Sequence, residues 1–192
     1  MTLRYRQGIA LAATLVLLPA LVACSSSSAD QTTGGFVSGD GTITKVKPAE
    51  REPAPDIAGP DLDGRKISLA DYEGKTVVVN VWGSWCGPCR EEAPALAATS
   101  KELKADGVEF LGIAIRDKTG NAKAFNRRWK IDYPSIDDPT SQTLLGFGKS
   151  LPAVAIPTTY IIDERGRVAV RILDKTTRST LTGLVEDVQA GS

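Results

Sequence analysis

The chain contains no histidine. That absence excludes a Ser-His-Asp triad, a Cys-His dyad and any His-ligated zinc, copper or haem site. Neither sign of charge is in excess: 23 Lys and Arg stand against 23 Asp and Glu. A dedicated nucleic-acid binder needs a basic surplus, and none is present. Aromatics make up 6% of the 192 residues, and cysteine occurs only three times. Chemistry must then rest on those cysteines, on carboxylates, or on Lys, Tyr, Ser and Thr. The apolar share of 42% is ordinary and sufficient for one core. The length fits one domain with appendages rather than two full domains.

Residues 1–23 read as an export signal. Arg4 and Arg6 precede an almost unbroken apolar run, GIALAATLVLLPALVA. The run is shorter than the ~20 residues of a membrane-spanning helix, and Pro19 interrupts it. It ends in Leu21-Val22-Ala23-Cys24, which resembles the lipobox of bacterial lipoproteins. That resemblance implies lipidation of Cys24, cleavage before it, and attachment to the outer face of a membrane by acyl chains. It also accounts for the odd third cysteine. The alternative is an ordinary signal peptide with a chance Cys. Loss of Arg4 and Arg6 with the signal leaves 21 basic and 23 acidic residues.

Residues 24–47 are expected to form a tether, since SSSSADQTTGGFVSGDG offers little to bury. The domain is then 48–192, extended through Pro48, Pro53, Pro55 and Pro60, with packing from about Pro53. Beyond it, Thr76–Trp82 (TVVVNVW) and Val108–Ile115 (VEFLGIAI) read as strands buried on both faces. Helices are expected over Pro88–Ala105, Asn121–Lys130 and Thr177–Gln189, and a helix start over Pro139–Gly146. Thr158–Asp163 and Val168–Leu173 read as a hairpin around Glu164-Arg165-Gly166. The fold class is α/β: a mixed central sheet with helices on both faces, an N-terminal strand extension and a central helix-strand insertion over 119–136.

The chemistry concentrates at Trp85-Cys86-Gly87-Pro88-Cys89. Two thiols at this spacing end a buried strand and open a helix. Cys86 falls at the helix N-terminus, where unpaired N–H groups and the helix dipole favour an anion. Cys89 lies one turn on, within disulfide reach. Pro88 suits the first helical turn, where its missing N–H is not needed. Gly87 is expected to let the backbone crowd the sulfurs. Lowering a thiol pKa from ~8.5 to ~7 raises the thiolate share roughly sixteen-fold, and lower basicity takes back about five-fold in nucleophilicity. The larger gain is proximity, because the second thiol attacks a mixed disulfide intramolecularly. A zinc site would need four ligands, and two cysteines without histidine do not supply them. An inert structural disulfide is the other alternative.

This stretch resembles the thioredoxin superfamily, and the longer run from Asn80 to Pro94, NVWGSWCGPCREEAP, is similar to its membrane-tethered TlpA/ResA-like branch. The resemblance spans about residues 53–190. It implies a thioredoxin-like fold and a thiol-disulfide oxidoreductase working through a Cys86–Cys89 disulfide, with no other cofactor. It further implies a cis Pro157 lying against that disulfide, and an Ile156 backbone that pairs with the substrate chain. Trp85 would shield the disulfide and line the docking surface, and Trp82 would be core. Cytoplasmic thioredoxins carry a buried Asp where this chain has Asn80, so another proton acceptor is needed for Cys89. Glu92 matches a Glu that the branch places near its active site, and at i, i+3 it shares a helix face with Cys89. Its alternative is a solvated charge like Glu91. Arg90 either favours the thiolate or is solvated, and Pro94 is expected to bend the helix. The cluster Arg127-Arg128-Trp129-Lys130 reads as the polar face of a helix.

The resemblance also implies net reduction of substrate proteins, such as apocytochrome c thiols, fed by a CcdA- or DsbD-like membrane partner. The rival readings are an oxidant or isomerase of secreted proteins, a thiol peroxidase, and a tethered binding module or metal chaperone. Peroxiredoxins place a Pro/Thr/Cys loop where this chain has WCGPC. Copper chaperones of this fold use a longer Cys spacing and a distal His.

Overall fold

The computed structural model describes residues 35–37, 42–149, 151–153 and 155–191. The expected export signal and Cys24 lie outside the described residues. Among the described residues, no helix is long and apolar enough to cross a membrane.

The centre is β5 (Val77–Trp82), whose six residues are all buried. Its β-branched run is covered on both faces, which is why it lacks apolar-polar alternation. β5 pairs in parallel with β6 (Glu109–Ile115), and β6 with β7 (Ser135–Asp138). On the other side β5 runs antiparallel to β8 (Thr158–Ile162), which forms the expected hairpin with β9 (Val168–Leu173). The sheet continues through β2 (Ile43–Val46) to β1 (Gly35–Val37), giving the order β1-β2-β9-β8-β5-β6-β7. A separate hairpin joins β3 (Ala58–Pro60) to β4 (Lys66–Ser68).

Alternate residues of β5 serve different cores. Val78 packs with Leu96 of helix α1 (Gly87–Leu103) and with Leu181, Leu184 and Val185 of α3 (Arg178–Gln189). Val77, Val79 and Val81 join Ile57, Phe147 and Tyr160 on the opposite face, where Phe147 stacks on Tyr160 with centroids 4.0 Å apart. Trp82 ends the strand in a third cluster with Cys86, Cys89, and Ala122 and Phe125 of α2 (Thr119–Trp129). Its ring stacks on Phe125 at 4.5 Å, so Trp82 is core.

Three local expectations change. The tether expected over 24–47 is cut short, because residues 35–37 and 43–46 are strands of the main sheet. Pro48–Glu50 forms a 3-10 turn rather than extended chain. The helix start expected over 139–146 becomes a 3-10 helix at Thr143–Lys149. Its cap is Asp138, whose carboxylate accepts the Gln142 and Thr143 N–H groups at 3.0 and 2.9 Å. Pro94 stands inside α1 as expected, where its ring removes one ladder donor.

Candidate functional site

β5 delivers the chain to a loop, Gly83–Trp85, and α1 begins immediately after it. Cys86 is the N-cap residue of α1, in extended conformation, and its Sγ accepts the Cys89 N–H at 3.2 Å. Pro88 occupies the first helical turn. Cys86 and Cys89 form a disulfide with Cα atoms 5.3 Å apart. Both cysteines are buried, so attack on the pair requires a partner that docks closely. Gly87 is the first residue of α1, and a Cβ added there would meet no side chain beyond its chain neighbours within 4 Å.

The cis Ile156-Pro157 bond directly precedes β8, whose first residue Thr158 pairs with Val81 near the end of β5 that leads to Cys86. The Ile156 carbonyl oxygen lies 3.9 Å from Cys86 Sγ. A disulfide sulfur has no proton to donate, so this is a contact that a thiol would turn into a weak hydrogen bond. Pro157 is held by its own carbonyl, which accepts the Asp174 N–H at 3.0 Å.

Glu92 is 2% exposed and faces the sheet. Oε1 accepts Asn80 Nδ2 at 2.9 Å, and Oε2 accepts the Thr176 N–H at 3.1 Å. Asn80 also donates to Thr159 Oγ1 at 3.1 Å. Burial pushes the Glu92 pKa up to about 7; the bonds from Asn80 and Thr176 oppose that push, and nearby Asp174 adds to it. A carboxyl group so placed exchanges a proton near neutral pH. Asn80 thus takes the strand position, and the acid stands across from it on the helix.

Trp85 is 44% exposed and covers the loop. Its Nε1–H donates to the Ile115 carbonyl at 3.3 Å. Gly83 makes that pose possible, since a Cβ would stand 2.6 Å from Trp85 Nε1. Arg90 is neither free nor directed at a carboxylate: its Nε and Nη2 donate to the Ser84 carbonyl at 3.0 and 2.8 Å. The cluster after Phe125 is a helix end, with the Arg128 guanidinium over the Trp129 ring at 5.2 Å.

Sequence reasoning missed Gly83, Ser84, Ile115, Arg116, Asp117, Thr159 and Thr176. One signal was available. Arg116 and Asp117 follow directly on a buried parallel strand, and sites in open α/β sheets gather at the carboxyl ends of such strands. Among the described residues, no group of three or more Cys, Asp or Glu could hold a metal ion.

The matching family model is the AhpC/TSA family, over residues 51–171. The thiol-disulfide oxidoreductase ResA of Geobacillus thermodenitrificans is 32% identical over 136 residues, covering 71% of this chain and 76% of the relative. A DsbF homologue from Corynebacterium diphtheriae superimposes with a TM-score of 0.72 at 35% identity, covering 81% of this chain and 99% of the other. A secreted thiol-disulfide isomerase from Corynebacterium glutamicum gives 0.71 at 37% identity, with 80% and 99% covered. The chain belongs to the AhpC/TSA family and is, within it, a thioredoxin-like thiol-disulfide oxidoreductase.

Proposed function

We propose that this protein reduces disulfides of substrate proteins outside the cytoplasm, with Cys86 as nucleophile and Cys89 as resolving thiol. The observation that carries this reading is the Cys86–Cys89 disulfide capping α1, with Ile156 3.9 Å away and Glu92 on the Cys89 face of the helix. In the reduced protein, the Cys86 thiolate attacks one sulfur of a substrate disulfide and expels the other as thiolate. Cys89 gives its proton to Glu92 and attacks Cys86 Sγ. The substrate leaves as a dithiol, and two electrons have moved to it. Trp85, Gly87 and Pro88 form the surface on which the substrate docks, and the Ile156 backbone aligns its chain beside Pro157. The two sulfurs themselves carry the redox equivalents.

In the same reading Cys24 is the lipid anchor after removal of residues 1–23, and the domain works at the outer face of a bacterial cytoplasmic membrane. An oxidising compartment demands a supply of electrons, which a CcdA- or DsbD-like membrane dithiol would provide. Apocytochrome c with its cysteine pair closed as a disulfide is the substrate proposed, and its two thiols are the product. The relatives' name, thiol-disulfide oxidoreductase, supports the exchange chemistry, and the secreted isomerase supports a setting outside the cytoplasm.

Two measurements test it. Cys89→Ser should accumulate a mixed disulfide with a disulfide-bearing protein, and Cys86→Ser should not. Equilibration with dithiothreitol buffers should give a potential below about −230 mV. A value near about −120 mV would reverse the proposed direction of electron flow. Loss of trapping in Cys89→Ser would remove Cys86 as the nucleophile.

A further inference from the structure

Three consecutive residues at the carboxyl end of β6 and just beyond it engage the loop before Cys86. The Ile115 carbonyl accepts Trp85 Nε1–H at 3.3 Å, and Asp117 Oδ2 accepts the Ser84 N–H at 2.6 Å. Between them, the Arg116 guanidinium lies 5.0 Å from the centroid of the Trp85 ring. Arg116 holds a φ of 49°, in the left-handed region that L side chains seldom occupy. Ile115 and Asp117 already fix the loop with hydrogen bonds. The Arg116 side chain adds none, which leaves its donors for something else.

Among the described residues, Arg116 has no ion-pair partner. Each carboxylate on a neighbouring residue takes at least one donor other than Arg116. Asp117 accepts the Ser84 and Lys118 N–H groups, Asp137 accepts the Thr119 hydroxyl through Oδ2 while its buried Oδ1 meets no donor, and Asp138 accepts groups from Thr140, Gln142 and Thr143. Arg90 likewise meets only a carbonyl, that of Ser84. One guanidinium therefore holds the Ser84 carbonyl and another lies over the Trp85 ring, directly before the nucleophile, and neither is bonded to a carboxylate.

We propose that Arg116, seated on Trp85, is a specificity-determining residue that binds a carboxylate flanking the reacting cysteines of the partner polypeptide. The inference rests on disulfide exchange at Cys86 and adds the chemistry of the partner it favours. A guanidinium stacked on an indole keeps its N–H edge free for a two-pronged bond to a carboxylate. The stack also limits the freedom lost on binding. The nearby carboxylates balance the long-range field, so the preference acts through contact rather than steering.

The test uses the full-length chain, reduced and freed of reductant. It is mixed with two disulfide-closed peptides that differ only in carrying Glu or Lys beside the cysteines. The readout is the ratio of the two reduction rates, which divides out the reactivity of the Cys86 thiolate. The expected ratio is about five in favour of Glu, the upper range for an exposed ion pair. Arg116→Gln should bring it near one, and Arg116→Glu should invert it. Brisk reduction of both peptides at equal rates, or an unchanged ratio in both variants, overturns the assignment of Arg116 alone. Failure of the unaltered chain to reduce either peptide overturns the exchange reading and the specificity with it.

Discussion

Glu91 and Glu92 are neighbours on α1, and they occupy different media. The Glu91 side chain is 60% exposed and pairs with Lys175. Glu92 is 2% exposed and holds Asn80 and the Thr176 N–H instead. The partners are also neighbours, so one loop after β9 reads both sides of the helix. The exposed pair is screened and worth little. The buried acid is pushed up to about pKa 7 by desolvation. One residue type therefore gives a surface charge at one position and a proton-exchanging group at the next, and only the packing differs.

The largest expected effect comes from making the sheet side more like the solvent side. Asn80→Asp would set a second carboxylate against Glu92 Oε1, where a donor now stands at 2.9 Å. The two acids would have to share a proton, and at pH 8 the oxidised domain should lose about 3 kcal/mol in denaturant unfolding.

Glu92→Gln sharpens the same contrast. A carboxyl group whose folded pKa is raised binds more protons folded than unfolded. Its contribution is full below about pH 4.5, falls as pH rises, and is gone above about pH 7. That window is worth about 3 kcal/mol. Asp61 and Asp163, held low by their hydrogen bonds to Arg65 and Arg167 despite burial, are already ionised there and add no slope. The chain has no histidine to obscure it. Oxidised protein should thus lose stability between pH 5 and pH 8, and Glu92→Gln should flatten that loss. A slope retained in the variant would assign the proton elsewhere.

Gly83→Ala carries the comparison to the loop. The new Cβ would stand 2.6 Å from Trp85 Nε1 and displace the ring. About 2 kcal/mol of stability should go, with a change in tryptophan emission. Lys175→Ala is the smallest change: it breaks the ion pair with Glu91, and the unfolding midpoint should stay within error at any salt concentration.

The parts legible in the sequence are those carried by short spacing. The Cys86–Cys89 pair lies three residues apart, and β5 announces itself by a β-branched run that only Asn80 interrupts before Trp82. Glu92 stood out through the resemblance to the TlpA/ResA-like branch, and helical periodicity added that it shares a face with Cys89. What fixes Glu92 did not follow. Thr159 and Thr176 lie 79 and 84 positions from the residues they bond, and no local pattern reports a strand order. The clamp from Ile115 to Asp117 is hidden for the same reason. β1 and β2 carry little sequence signal, because strands at and next to the sheet edge form by backbone bonding, which small and polar residues satisfy as well as apolar ones. The turn at Thr143 shows the opposite case, where caps were visible but not the helix type they would start.

The Cys89 N–H that points at Cys86 Sγ is in place while the disulfide is still closed. A charge that appears on that sulfur when the bond opens meets its donor without any shift of the backbone. The reorganisation that water would have to make around a new anion is replaced by a dipole fixed when the chain folded. The donor that meets the new thiolate is part of the folded chain, and opening the disulfide requires no reordering of that peptide.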